Sequence, residues 1–276
     1  MTVTFGEPRR LQIGAVTYLN SKPLVEGLAE LAAGADLRLD YPSRLADDLT
    51  SGRLDVALIP SIEYFRGDGR YEVVSDACVA ARGPVLSVKL YTRVPWNEIR
   101  TLALDEGSRT SATLARVLLA ERFGVRPELL PLPLNRPVLE SPADALVIIG
   151  DRAISSPEEQ FRDTWDLGEE WNRWTGLPFV FAMWVTRADC DLGPVEEALS
   201  RARDLGVERL EAIARREAPL LGLSLPTTIQ YLRENLHFVL GEPERKGLQL
   251  FYQYASRLGL APSGVDLVCR SCPSPR

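Results

Sequence analysis

Apolar positions along this chain fall into short runs separated by polar or helical stretches, and the first run sets the pattern. Residues 11–20, LQIGAVTYLN, continue into Ser21-Lys22-Pro23-Leu24. The apolar part is short enough for a buried strand, Asn20 and Ser21 are apt helix caps, and Pro23 suits a first helical turn. The reading is strand, turn, helix. Such a turn aims backbone N–H groups and the positive end of a helix dipole at the carboxyl edge of a sheet, where α/β proteins bind their ligands. An anion is expected there.

The alternation continues. A helical pattern at 24–31, an extended segment at 36–41 and a helical one at 44–50 lead to Val56-Ala57-Leu58-Ile59, an apolar run of the kind that lies inside a parallel sheet. Ser61 is placed to cap a short helix through Phe65, which gives a second strand end facing the same way. Strands are expected at 71–79, 88–92 and 101–105, with Gly83-Pro84-Val85-Leu86-Ser87 opening into the second of them. Gly107-Ser108-Arg109-Thr110-Ser111 then starts a helix whose Leu114, Val117 and Leu118 fall at helical spacing. A cap needs one of those hydroxyls, so the surplus points to a second anion site. The Pro-rich stretch 127–142 reads as loop and edge strand. Residues 145–149 form a buried strand ending in Gly150-Asp151-Arg152, where Asp151 is either a helix cap or a functional carboxylate.

Residues 165–184 are rich in aromatics, with a turn at 174–178 and a strand at 179–185 that can return the chain to a first lobe. Those rings either pack a core or wall a cleft and keep water out of it. Three helical patterns follow, at 195–216, 226–236 and 243–258; their Glu/Arg-rich faces read as solvated, and no function is attached to them.

Length and charge narrow this picture. With 276 residues the chain exceeds the usual single-domain range of roughly 100–200 residues, so two lobes are expected. A formal net charge of −6 offers no footprint for nucleic acid, so any affinity for an anion must come from local N–H groups and a few Arg side chains. No apolar run approaches the ~20 residues of a membrane span, and no apolar stretch follows Arg9-Arg10 as in a signal peptide; a cytoplasmic location is expected. Cys78 and Cys190 stand alone, while Cys269 and Cys272 make one Cys-x-x-Cys. A zinc site needs about four ligands, so that pair reads as terminal thiols, and neither metal nor cofactor is expected. The single histidine, His237, lies in a C-terminal stretch where no acidic or cysteine partner is expected nearby, and a Ser-His-Asp triad would rest on it alone.

The stretches IGAVTYLNSKPL, DVALIPSIEYF, GPVLS, SRTSATLARVLLAERFGV, VIIGD, and DLG followed by WTGLPFVFAMW together resemble the chorismate dehydratases of the futalosine route to menaquinone, over about residues 11 to 186. The resemblance implies an α/β fold of the two-lobed type II periplasmic-binding-protein kind, with the ligand cleft between lobes. It places the crossings near 88–92 and 183–187, so that residues 1–90 and 186–276 make one lobe and 91–185 the other. It implies the dehydration of chorismate to 3-[(1-carboxyvinyl)oxy]benzoate, and no cofactor.

On the matching positions, Asn20 and Asp151 are the implied catalytic residues. Tyr18, Leu19, Ser61 and Ser87, with Ser108, Arg109, Thr110, Ser111 and Gly150, are the implied substrate-binding set. Asp151 could act as a base only if burial raised its pKa from an ordinary value near about 4. A motif set rich in donors and poor in bases favours the other acceptor, the substrate's own enolpyruvyl carboxylate. Two alternatives share the fold. One is the enzyme that makes 1,4-dihydroxy-6-naphthoate, whose family base is a histidine in the middle lobe, where this chain has none. The other is a non-catalytic small-anion-binding protein.

Overall fold

The computed structural model describes residues 9–134, 137–155 and 158–270, and its strands fall into two sheets. In chain order the strands are β1 (Leu11–Val16), β2 (Ala35–Asp40), β3 (Val56–Pro60), β4 (Tyr71–Ala81), β5 (Val88–Thr92) and β6 (Thr101–Asp105). They continue with β7 (Glu128–Leu132), β8 (Ala145–Ile149), β9 (Asp163–Asp166), β10 (Phe179–Arg187) and β11 (His237–Val239). The first sheet has the order β11-β4-β10-β3-β1-β2, the second β7-β6-β8-β5-β9.

Position in the sheet accounts for the residue patterns. β3 lies between β1 and β10 and is buried along its whole length, which its unbroken Val-Ala-Leu-Ile-Pro run requires. β7 is an edge strand, mostly exposed, and there Pro131 sacrifices no necessary ladder bond. One apolar cluster runs through both lobes, and a smaller one around Tyr91, Leu146, Ile148 and Phe161 packs the second.

The two sheets follow one plan. Each has three parallel strands (β2-β1-β3 and β7-β6-β8), then one antiparallel strand (β10 and β5), then a further strand (β4 and β9), to which the first sheet adds β11. In each case the antiparallel strand is the one the chain delivers from the other lobe: β5 arrives through residues 82–87, β10 through residues 167–178. The boundaries expected after residues 90 and 185 therefore fall inside strands. β5 pairs along its length with β8 and β9, and β10 with β3 and β4. A strand divided between two sheets would leave buried backbone groups unpaired.

Several local expectations change. The segment after β1 is a 3-10 helix, Leu19–Val25, begun by Tyr18 without a side-chain cap; Ser21 Oγ instead donates back to the carbonyls of Val16 and Tyr18. The pattern at 195–216 divides into helices Val195–Glu208 and Leu210–Leu221. That at 226–236 is helix Leu225–Gln230 followed by a π-helical turn, Tyr231–Asn235. His237 does have an acidic neighbour in space: Glu244 Oε1 is 3.7 Å from its Nε2, with Arg82 at 3.0 Å. Cys272 lies outside the described residues, and with it the Cys-x-x-Cys pair.

Candidate active site

The carboxyl ends of β1 and β6 face each other from opposite lobes across a cavity. On the second-lobe side, residues Gly107, Ser108, Thr110 and Ser111 lead into the helix Thr110–Phe123, whose first N–H groups are free of internal partners. The hydroxyls expected to cap this helix do not. Its N-cap, Arg109, makes no side-chain cap. Thr110 Oγ1 instead accepts the Ile62 N–H of the first lobe at 3.2 Å. Arg109 reaches the same lobe, donating to Glu63 at 2.9 Å and to Asp47 at 2.8 Å. Its guanidinium is at the cavity wall, but its charge is already met, which removes the reason for assigning it to a substrate carboxylate.

First-lobe residues divide in the same way. Tyr18 lines the cavity and lies across the ends of β6 and β8, so close that a Cβ on Gly150 would come within 2.7 Å of its ring. Gly150 has φ +71 and ψ −158, a conformation open to glycine alone, so both its backbone and its missing side chain are needed. Leu19 is fully buried in the core, and its N–H donates to Asp151 Oδ1 at 3.0 Å across the lobes. Leu19 and Asp151 thus fasten the lobes and are not part of the cavity lining. Ser61 does not line it either: its Oγ donates to the Val180 carbonyl at 2.7 Å, and its helix begins at Pro60 without a side-chain cap.

Ser87 is placed by a strained turn. Leu86 has φ +59, and the Ser87 N–H donates to the Val85 carbonyl at 2.7 Å, closing a three-residue γ-turn. A non-glycine residue in this region costs of order 1–3 kcal/mol and persists only where its surroundings hold it. Asp166 is that hold. Its carboxylate accepts the N–H groups of Val85 and Leu86 in one crossing, and those of Gly168 and Glu169 in the other. Burial pushes the Asp166 pKa up, against those four donors. Sequence reasoning gave this residue no role beyond its place in the DLG motif, although Asp166 three positions before Glu169 is a capping-box spacing.

A family described as menaquinone biosynthesis matches residues 11–257. The chorismate dehydratase of Thermus thermophilus is 32% identical over 271 residues, covering 90% of this chain and 95% of that protein. The chain belongs to the menaquinone-biosynthesis family. Among solved structures, a protein from Archaeoglobus fulgidus is similar with a TM-score of 0.74 at 16% identity, covering 92% of this chain and 100% of that one. The alkanesulfonate-binding protein of Xanthomonas axonopodis pv. citri is similar with a TM-score of 0.64 at 15% identity, over 94% of this chain and 96% of that one. These likenesses carry the fold alone: a periplasmic-binding-protein-like pair of α/β lobes.

In this menaquinone-biosynthesis family member, the polar atoms around the cavity sort by whether they have a partner. Asn20 Oδ1, Ser87 Oγ and Ser108 Oγ are buried without one. Arg109 is the only charged side chain in the lining, among the described residues, and the remaining wall is Val16, Val79, Val85, Val88, Phe181 and similar apolar surface. Among the described residues, no carboxylate or imidazole reaches that lining. Burial raises the Asp151 pKa, as a base would require, while the Leu19 N–H and Lys22 oppose the rise. Its carboxylate is nevertheless directed at the Leu19 backbone. Burial also raises the Tyr18 phenol, so it stays a neutral ring.

Proposed function

We propose that this protein is a chorismate dehydratase, eliminating water from chorismate to give 3-[(1-carboxyvinyl)oxy]benzoate in the cytoplasm, as a step of the futalosine route to menaquinone. Its family membership and the likeness to the Thermus thermophilus enzyme support the reaction. Among the described residues, no helix is long and apolar enough to cross a membrane. One observation carries the mechanism: a cavity with unpartnered Asn20 Oδ1, Ser87 Oγ and Ser108 Oγ and, among the described residues, with no carboxylate or imidazole in its lining.

The chemistry fits such a wall. The proton to be lost sits on the ring carbon bearing the enolpyruvyl ether, and the ring carboxylate acidifies it through the adjacent double bond. As it leaves, charge builds on that carboxylate. Ser108, Ser111 and the first N–H groups of the helix Thr110–Phe123 are donors suited to hold it, aided by the helix dipole. Asn20 and Ser87 are suited to the ring hydroxyl, which departs with its oxygen while the ring becomes aromatic. The substrate's enolpyruvyl carboxylate takes the carbon-bound proton; that proton and the hydroxyl together make one water. The protein's share is to fix this geometry and to exclude solvent.

An absorbance assay on purified protein tests the proposal, because the aromatic product differs from chorismate in the ultraviolet. Conversion is the expected result. Binding of chorismate with no product would make the protein a small-anion binder of the same fold. Replacing Asp151 with Asn separates the two proton acceptors: turnover persists if the substrate's carboxylate is the base, and loss of turnover with binding intact would assign that role to Asp151.

A further inference from the structure

One buried polar group near the site comes from the C-terminal helical region. The helix Leu225–Gln230 runs into the π-helical turn Tyr231–Asn235. Such turns are rare and recur at functional sites, since the extra residue re-aims the side chains that follow. This one is fastened to the crossing that bears Ser87: Asn235 Nδ2 donates to the Pro84 carbonyl at 2.9 Å. At its start Tyr231 is 0% exposed, and its Oη completes no hydrogen bond. The side chains close enough to act on that hydroxyl are Ser87 and Asn20, whose Oγ and Oδ1 are buried and unpartnered in turn.

We infer that Tyr231 is a positioning residue: its O–H donates to Asn20 Oδ1 and holds the carboxamide with Nδ2 toward the cavity. Counting donors gives the direction. The group of three contains two hydroxyl hydrogens and, with the amide oxygen inward, one carbonyl that can accept them. Were the amide reversed, its two N–H donors would join the two hydroxyls, and at least one buried donor would have no acceptor. The part of Asn20 left facing the cavity is then a pure donor. It takes an oxygen lone pair, as a substrate hydroxyl or carboxylate supplies, and offers nothing to a substrate N–H. Burial and the nearby Asp151 and Asp166 carboxylates raise the phenol's pKa, so it remains a donor across the neutral range. The inference rests on the reading of Asn20 as a site residue in the proposed dehydration.

The test has one arm without substrate and one with it. In the substrate-free protein, the Asn20 side-chain amide signal in a ¹⁵N–¹H spectrum, assigned by its loss in Asn20→Ala, shifts in Tyr231→Phe. Replacing Tyr231 by 3-fluorotyrosine, which makes a stronger donor and keeps the packing, moves it the opposite way. With chorismate, Tyr231→Phe lowers kcat about tenfold or more with little change in KM, the scale set by one orphaned buried acceptor. In an Asn20→Ala background the same change costs less than about twofold, since the partner is already gone. An Asn20 amide signal that moves in neither variant overturns the inference, as does an equal loss of kcat in both backgrounds. A shifted amide in a protein that leaves chorismate untouched supports the inference and counts against the proposed substrate.

Discussion

The turn that follows β1 and the turn that follows β6 occupy the same place in their respective sheets, and they divide their polar groups in the same way with different chemistry. After β6, Thr110 and Arg109 reach across to Ile62, Asp47 and Glu63, and Ser108 is left without a partner. After β1, the Leu19 N–H reaches across to Asp151, and Asn20 is left. Each turn therefore spends part of its polar groups on joining the lobes and leaves a neighbour beside the cavity. The second-lobe turn holds its ligand side with a helix start and hydroxyls, the first-lobe turn with an amide. What separates a fastening group from a binding group is whether it already has a partner, since a buried polar atom with none costs about 1–3 kcal/mol until a ligand supplies one.

That division can be broken by mutation. The largest expected effect is from Asn20→Ala, which removes the amide donor at the reacting end; kcat for chorismate should fall by about 10²–10³, read from the ultraviolet change. If Arg109→Lys had an equal effect on kcat, the division would be wrong. Next comes Asp166→Ala, which strands the N–H groups of Val85 and Leu86 and frees the strained Leu86. Stability in urea should drop by about 3 kcal/mol, with kcat falling because Ser87 is no longer aimed. Gly150→Ala brings a Cβ against Tyr18 at a glycine-only conformation. It should raise KM for chorismate about tenfold, by hindering the fit of the lobes, and lower the melting temperature modestly.

Smaller effects sharpen the same contrast. Thr110→Val removes a fastening hydroxyl, so kcat should change less than about threefold while KM rises. A last prediction concerns a residue that does not line the cavity. Burial holds the His237 pKa below its ordinary value, so the unfolded chain takes up this proton more readily than the folded one. The contribution to stability is therefore complete above a pH of about 6.5 and declines as pH falls from there toward the folded value. His237→Gln should flatten that part of the stability curve in acid titrations followed by denaturant melts, without changing kcat at neutral pH.

The strands and most helices could be read from the sequence because burial imposes period and composition on them, as in the unbroken run of β3. The mouths of the two turns were legible too, since a surplus of donors at a strand end has few structural uses. What could not be read was the assignment within each turn. Ser61 and Ser87 look alike in sequence, but one is consumed by the Val180 carbonyl and the other is held open by a γ-turn that depends on Asp166, 79 positions later. Arg109 could not be sorted from its neighbours for a similar reason: its partners Asp47 and Glu63 belong to another lobe, and a distant partner leaves no local pattern. Tyr231 carries no signal at all. It sits in a helical stretch whose charged neighbours suggest solvent, and only the π-helical turn brings it to Ser87 and Asn20.

A crystal structure of the protein with 3-[(1-carboxyvinyl)oxy]benzoate bound would test the division of partners most directly. The account predicts ligand oxygens within hydrogen-bond distance of Asn20, Ser87 and Ser108, with Arg109 still paired to Asp47 and Glu63. A ligand carboxylate seated on Arg109, its pairs with Asp47 and Glu63 broken and Asn20 without a ligand contact, would contradict it.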